Sequence, residues 1–114
     1  MEAGIVTLAS FISPFREDRE EVRARFAPRE FIEVYVECPL EECARRDPKG
    51  HYRRVKEGTM KNFTGFDSEY EPPVNPEIVL RTDKATVAQC CEAIVHYLSD
   101  SGLIPRKKVS ALWD

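Results

Sequence analysis

The chain has 114 residues, 42% of them hydrophobic and 32% charged, and a net charge of −3 at pH 7. That size suits one small soluble domain. Its apolar runs are only a few residues long, which excludes a membrane-crossing helix, and its mild acidity argues against a general nucleic-acid binder.

Gly4–Ala9 (GIVTLA) is β-branched and nearly all apolar, which predicts a short buried strand. The chain start lacks the basic flank of a secretory signal. The strand leads into Ser10-Phe11-Ile12-Ser13-Pro14, a loop broken by Pro14. Ligands of open α/β sheets sit at the carboxyl ends of strands, so Ser13 stands where chemistry is expected. A plain turn serine before proline is the competing reading.

Phe15–Phe26 predicts a charged helix with Val22 and Phe26 as its apolar stripe and Phe15 behind them. Arg16, Arg19, Arg23 and Arg25 alternate with Glu17, Asp18, Glu20 and Glu21, the pattern of an exposed, ion-paired surface helix. Pro28 closes it. Phe31–Val36 predicts a second strand, apolar enough to be mostly buried in a parallel sheet. Pro39 opens a short helix running to about Arg46, with Glu41 and Glu42 in its first turn and Arg45 and Arg46 in its last.

His51–Glu57 predicts another short helix, ended near Gly58. Thr59–Asn75 reads as a long loop, a length that usually carries function. Glu77–Leu80 predicts a third strand. Thr86 followed three residues later by Gln89 predicts a capping box. The helix behind it is expected to bury Val87, Cys91, Ile94 and Leu98, to leave His96 on the surface, and to stop before Gly102. Arg106–Asp114 is a polar tail. The order strand, helix, strand, helix, insert, strand, helix predicts an α/β fold, part of a doubly wound parallel sheet. Cys38, Cys43, Cys90 and Cys91, with two histidines, make no zinc pattern. Reduced thiols and a reducing compartment are expected.

One stretch departs from the rest in charge. Arg45 to Lys61 holds seven Lys or Arg against Asp47 and Glu57, a local +5. Such a basic island is a candidate site for phosphate or sulfate groups, against the plainer reading of a solvated charged face. Just beyond it, Asn62-Phe63-Thr64-Gly65 sets an aromatic ring on a polar loop, which suits stacking on a planar base. Phosphoryl transfer needs cradled donor phosphates, neutralised developing charge and an aimed hydroxyl. Lys49 and Lys61 as point charges, with Arg46 and Arg53 as planar guanidiniums, offer the second and help with the third. The donor cradle G-x-x-x-x-G-K-S/T does not occur in these residues, where no lysine directly follows a glycine.

Four ordered words, Phe11-Ile12-Ser13-Pro14, Arg46-Asp47-Pro48-Lys49-Gly50, Asn62-Phe63-Thr64-Gly65 and Asp67-Ser68-Glu69-Tyr70-Glu71-Pro72-Pro73, together resemble the adenylyl-sulfate kinase family over roughly Gly4 to Pro105. The resemblance implies a three-layer α/β/α domain of the P-loop nucleoside triphosphate hydrolase/kinase type, represented by its later part over residues 1–105, with 106–114 as the tail. The activity it implies is transfer of the ATP γ-phosphate to the 3′-hydroxyl of adenosine 5′-phosphosulfate (APS), giving 3′-phosphoadenylyl sulfate in sulfate assimilation.

The site residues follow by resemblance. Ile12 and Ser13 meet the sulfate end of APS, Lys49 contacts that nucleotide, and Asn62 and Phe63 line its adenine pocket. Arg46, Ala85 and Cys90 lie on the ATP side. Ser13 matches the family's phosphoserine and so stands as the catalytic residue. No neighbouring residue supplies the base that a serine nucleophile needs, so direct in-line transfer asks for less. ATP acts with Mg²⁺, whose ligands belong to family motifs outside these residues, and no metal ligand is assigned within them. The alternative is a non-catalytic remnant that binds nucleotide or pairs with a full-length subunit. No nucleic acid or membrane partner is expected. The resemblance leaves open a homodimer, a fused sulfurylase domain, and cytoplasm against plastid.

Overall fold

The computed structural model describes residues 4–47, 49–58 and 69–105. Its elements are α1 (Arg16–Arg23), β1 (Val34–Glu37), α2 (Leu40–Arg46), α3 (His51–Lys56), β2 (Ile78–Arg81) and α4 (Val87–Asp100). They divide into two compact units. The first takes in Met1–Ile32 and Leu40–Asn75, and the second Glu33–Pro39 and Pro76–Asp114.

The second unit is the α/β part. β1 and β2 pair in parallel, with Val34 opposite Ile78 and Glu37 opposite Arg81. Parallel strands need a long crossover, and here residues 38–77, with α2 and α3, supply it. β2 alternates cleanly: Ile78 and Leu80 are buried while Val79 and Arg81 are exposed. Α period of two assigns each face of a strand one environment. Helix α4 packs on β2, with Cys91, Ile94 and Leu98 half-buried.

Both ends of α4 are closed by local chemistry. Thr86 accepts from the Gln89 N–H at 3.1 Å while the Gln89 side chain accepts from the Thr86 N–H at 2.8 Å, so two orphan donors are satisfied at once. At the other end Gly102 takes φ +76°. There the Leu103 N–H reaches the Leu98 carbonyl (2.9 Å) and the Gly102 N–H that of Ser99 (3.0 Å). This is a complete Schellman ending, which favours glycine at the left-handed position.

The first unit holds helices α1, α2 and α3. Helix α1 is followed by a turn, and the Phe26 ring meets Phe31 with centroids 5.5 Å apart. Helices α2 and α3 flank a tight turn in which Asp47 and Gly50 both have positive φ. Gly50 is the N-cap of α3 and has no side chain to offer. Asp47 substitutes for it, accepting from the Arg53 N–H at 3.1 Å.

Three expectations are corrected. Gly4–Ala9 forms no strand, and Ile5 and Leu8 are exposed. An apolar run becomes a strand only where its amides find a ladder, and the described sheet has two strands, β1 and β2. The second strand begins at Val34 rather than Phe31. Its partner β2 begins at Ile78, and two residues earlier stands Pro76, which has no N–H to give. Val87 is 81% exposed rather than buried, because the first residue of α4 precedes the half-buried Cys91, Ile94 and Leu98 that turn inward. The tail 106–114 lies outside the described residues.

Candidate functional site

Ser13 sits in a backbone conformation that its residue type resists. Its φ is +40°, a left-handed geometry costing an L-residue about 1–2 kcal/mol. Such a conformation persists only where the surroundings impose it. Here they do. Arg19, on α1, donates from Nη1 to the Ser13 carbonyl and from Nη2 to the Glu71 carbonyl. The Glu71 N–H donates to the Pro14 carbonyl at 2.8 Å. The Glu71 carboxylate accepts from the Arg16 N–H at 2.9 Å, serving the first turn of α1, whose N-cap Phe15 has no capping side chain. Arg16 Nε donates to the Pro72 carbonyl at 2.8 Å. The Arg19 guanidinium also lies 5.6 Å from the Tyr70 ring centroid. Two words more than fifty residues apart in sequence are thus tied into one polar knot around a half-buried Ser13.

Lys49 is held by its main chain instead. Its carbonyl accepts from Arg54 Nη2 at 2.9 Å, and the next residue, Gly50, donates its N–H to the Asp47 carbonyl at 3.0 Å. The residue remains exposed, so a strongly hydrated ammonium is carried on a fixed turn. Arg46 is different. Its Nε donates to Glu42 at 2.9 Å, and Arg45 donates to the same carboxylate. The hydrogen bond from Arg45, with that from Arg46, holds the Glu42 carboxyl down at about 2 despite some desolvation, and the same bond raises Arg45 above its usual range. The basic island is therefore less bare than its count implies, since Glu42 stands just upstream of it.

In the second unit, an open cleft of about 360 Å³ lies at the carboxyl ends of β1 and β2. Tyr35, Glu37, Cys38, Pro39, Arg81, Asp83 and Lys84 line it. Glu37 and Arg81 pair at 3.3 Å. Ala85 follows Lys84 directly and is set by its N–H to the Arg81 carbonyl (3.1 Å). Cys90 is half-buried on the first turns of α4. The volume falls in the range of small-molecule sites, and strand tips are where such sites form in α/β sheets.

The predicted residues are shared between the two units. Ile12, Ser13, Arg46 and Lys49 belong to the first unit, and Ala85 and Cys90 to the second. Ile12 is exposed beside the Ser13 turn. Asn62 and Phe63 lie outside the described residues. Among the described residues, no group of three or more His, Cys, Asp and Glu is placed to hold a metal ion, and no helix is long and apolar enough to cross a membrane. Sequence reasoning missed Arg16, Arg19 and Glu71. It set α1 aside as a surface helix, which fits Arg25 on Glu21 but not the two arginines turned to the 70–72 segment. The readable signal is Glu71, which stands inside the Asp67–Pro73 motif word.

Comparison with known proteins shows the family of the chain. A family profile described as adenylylsulphate kinase matches residues 1–81. The adenylyl-sulfate kinase of Geotalea daltonii is 53% identical over 104 residues, covering 91% of this chain and 51% of that protein. The probable adenylyl-sulfate kinase of Bacillus subtilis is 44% identical over 104 residues, covering 91% and 52%. The solved APS kinase CysC of Mycobacterium tuberculosis, in complex with AMPPNP and APS, superposes with a TM-score of 0.66 at 39% identity, over 78% of this chain and 52% of that one. The chain spans about half the length of the curated relatives it matches. Its α/β architecture is the corresponding part of the P-loop kinase fold, and the chain belongs to the adenylylsulphate kinase family.

Proposed function

We propose that this chain carries the acceptor side of an adenylyl-sulfate kinase, a phosphotransferase that moves the ATP γ-phosphate to the 3′-hydroxyl of APS in sulfate assimilation. The observation that carries the reading is the knot that ties Ser13 to Glu71, since it prepares a polar loop before any ligand arrives. A pre-formed site loses less freedom on binding than a floppy one. Ile12 and Ser13 meet the sulfate, Lys49 neutralises charge on the same nucleotide, and Asn62 with Phe63 takes the adenine. Arg46, Ala85 and Cys90 serve ATP, with the β1–β2 cleft beside Ala85 as the supporting feature.

In-line transfer needs no covalent serine. The Ser13→Ala change, placed in a full-length family member, retains measurable turnover. Complete loss of turnover with APS binding intact would count for the phosphoserine route. The described residues offer no metal cluster, so no step is assigned here to Mg²⁺. The compartment is read as a reducing one, the cytoplasm or a plastid.

A second reading is favoured by one fact: no G-x-x-x-x-G-K-S/T occurs in these residues. In that reading the chain binds nucleotide without turning it over, or pairs with a full-length subunit. Calorimetric titration of the 114-residue chain with APS and with ATP, separately, tests both. Saturable APS binding that Lys49→Ala weakens supports the acceptor-site assignment. APS binding without ATP binding selects the non-catalytic form. Absence of APS binding removes the acceptor-site assignment and leaves, of the second reading, only pairing with a full-length subunit.

A further inference from the structure

We propose that Arg19 is a positioning residue for the acceptor site: its guanidinium fixes the Ser13 carbonyl to the main chain at Glu71, and this sets the shape of the Ile12–Ser13 loop. The inference rests on the reading of that loop as the sulfate end of the APS site. Three observations carry it. Ser13 holds a left-handed φ of +40°, which a proline at the next position does not by itself enforce. Arg19 supplies two planar donors to two carbonyls, those of Ser13 and Glu71, 52 residues apart from Arg19 in the second case. A planar fork is suited to spanning two acceptors, and charge-assisted bonds are the stronger kind. Finally, the guanidinium stands on α1, a regular element, with the Tyr70 ring 5.6 Å away. A site loop anchored from a helix is held more closely than one anchored from another loop.

Arg19 touches no reacting atom in this account, so its effect is read through the loop. The test is APS titration by calorimetry on the 114-residue chain and its variants Arg19→Gln, Arg19→Lys and Arg25→Gln, under conditions where each keeps the circular dichroism of the parent. Arg25 is on the same run and pairs with Glu21 at 3.2 Å on the surface, so it controls for loss of a cation. The expected result is an APS affinity about tenfold weaker in Arg19→Gln, the scale of one lost charge-assisted hydrogen bond. Arg19→Lys, which keeps the charge but not the fork, remains weaker than the parent, and Arg25→Gln matches it. Should Arg19→Gln fail to fold, Arg19→Lys decides alone. Equal APS affinity in the parent and a folded Arg19 variant overturns the positioning role and leaves the acceptor-site reading standing. An equal loss in Arg25→Gln overturns it too, by reducing the effect to net charge. A parent chain that binds no APS removes the underlying reading, and the positioning role with it.

Discussion

The two units of this molecule are held by different physics. Around β1, β2 and α4 the structure rests on a ladder, the inside–outside alternation of β2 and two ends of α4 closed by neighbouring residues. Around Ser13 it rests on the Arg16 and Arg19 guanidiniums, which reach the Pro72 and Glu71 carbonyls more than fifty residues away and the Ser13 carbonyl six residues away. The first kind of order is local and repetitive. The second is specific to a few side chains, and it surrounds a strained residue. Stability here follows burial, whereas the features that suggest binding follow polar contacts that bury little.

That contrast can be broken at several points. The largest effect is expected at Leu80, 7% exposed and facing inward from β2. Leu80→Ala destabilises the chain by roughly 2–4 kcal/mol through lost transfer energy and a residual cavity, measured by denaturant unfolding. A change below about 0.5 kcal/mol, the range of surface positions, would mean that the apolar unit has no real core.

Glu71→Ala comes next. It removes the carboxylate that accepts from the Arg16 N–H but leaves the main-chain bonds at 71 in place. A loss of about 1 kcal/mol is expected, the scale of a lost helix cap, seen as faster amide exchange at Arg16 and slower change at Glu71 itself. Equal acceleration at both amides would show that the carboxylate, and not the main chain, organises the knot.

Thr86→Ala matches it in the other unit, at about 1 kcal/mol or somewhat less if Gln89 compensates, read from thermal melting. The smallest effect concerns Glu42. Its carboxyl lies near 2 instead of 4.5, so its folded value is depressed. The stability it lends is present above pH 4.5 and is lost as the pH falls from there towards 2. Carbon-detected titration of the Glu42 side chain should give a midpoint near 2, and a midpoint near 4.5 would dissolve the Glu42–Arg45–Arg46 cluster.

These contrasts also explain what could be read from the residues alone. The strand near residues 77–80, the capping box at Thr86 and Gln89 and the stop at Gly102 are each written in a few adjacent positions, so composition and end signals find them. The four motif words were visible too, and they led to the right family. The knot was not. Nothing local distinguishes Arg19, which bridges Ser13 and Glu71, from Arg25, which pairs with Glu21 one turn back. Gly4–Ala9 failed for the opposite reason: its composition suits a strand, but strand formation is decided by a neighbour. Likewise a charge count over Arg45–Lys61 leaves out Glu42, while helix pairing runs three and four residues back and joins it to Arg45 and Arg46.

The central claim is that the loop around Ser13, with the turn bearing Lys49, receives the acceptor nucleotide. Amide chemical-shift mapping during an APS titration tests it most directly. The account predicts saturable shifts at Ile12, Ser13, Lys49, Gly50 and Glu71. Shifts confined to the strand-tip residues Glu37, Asp83 and Lys84, with Ser13 and Lys49 unmoved, would contradict it.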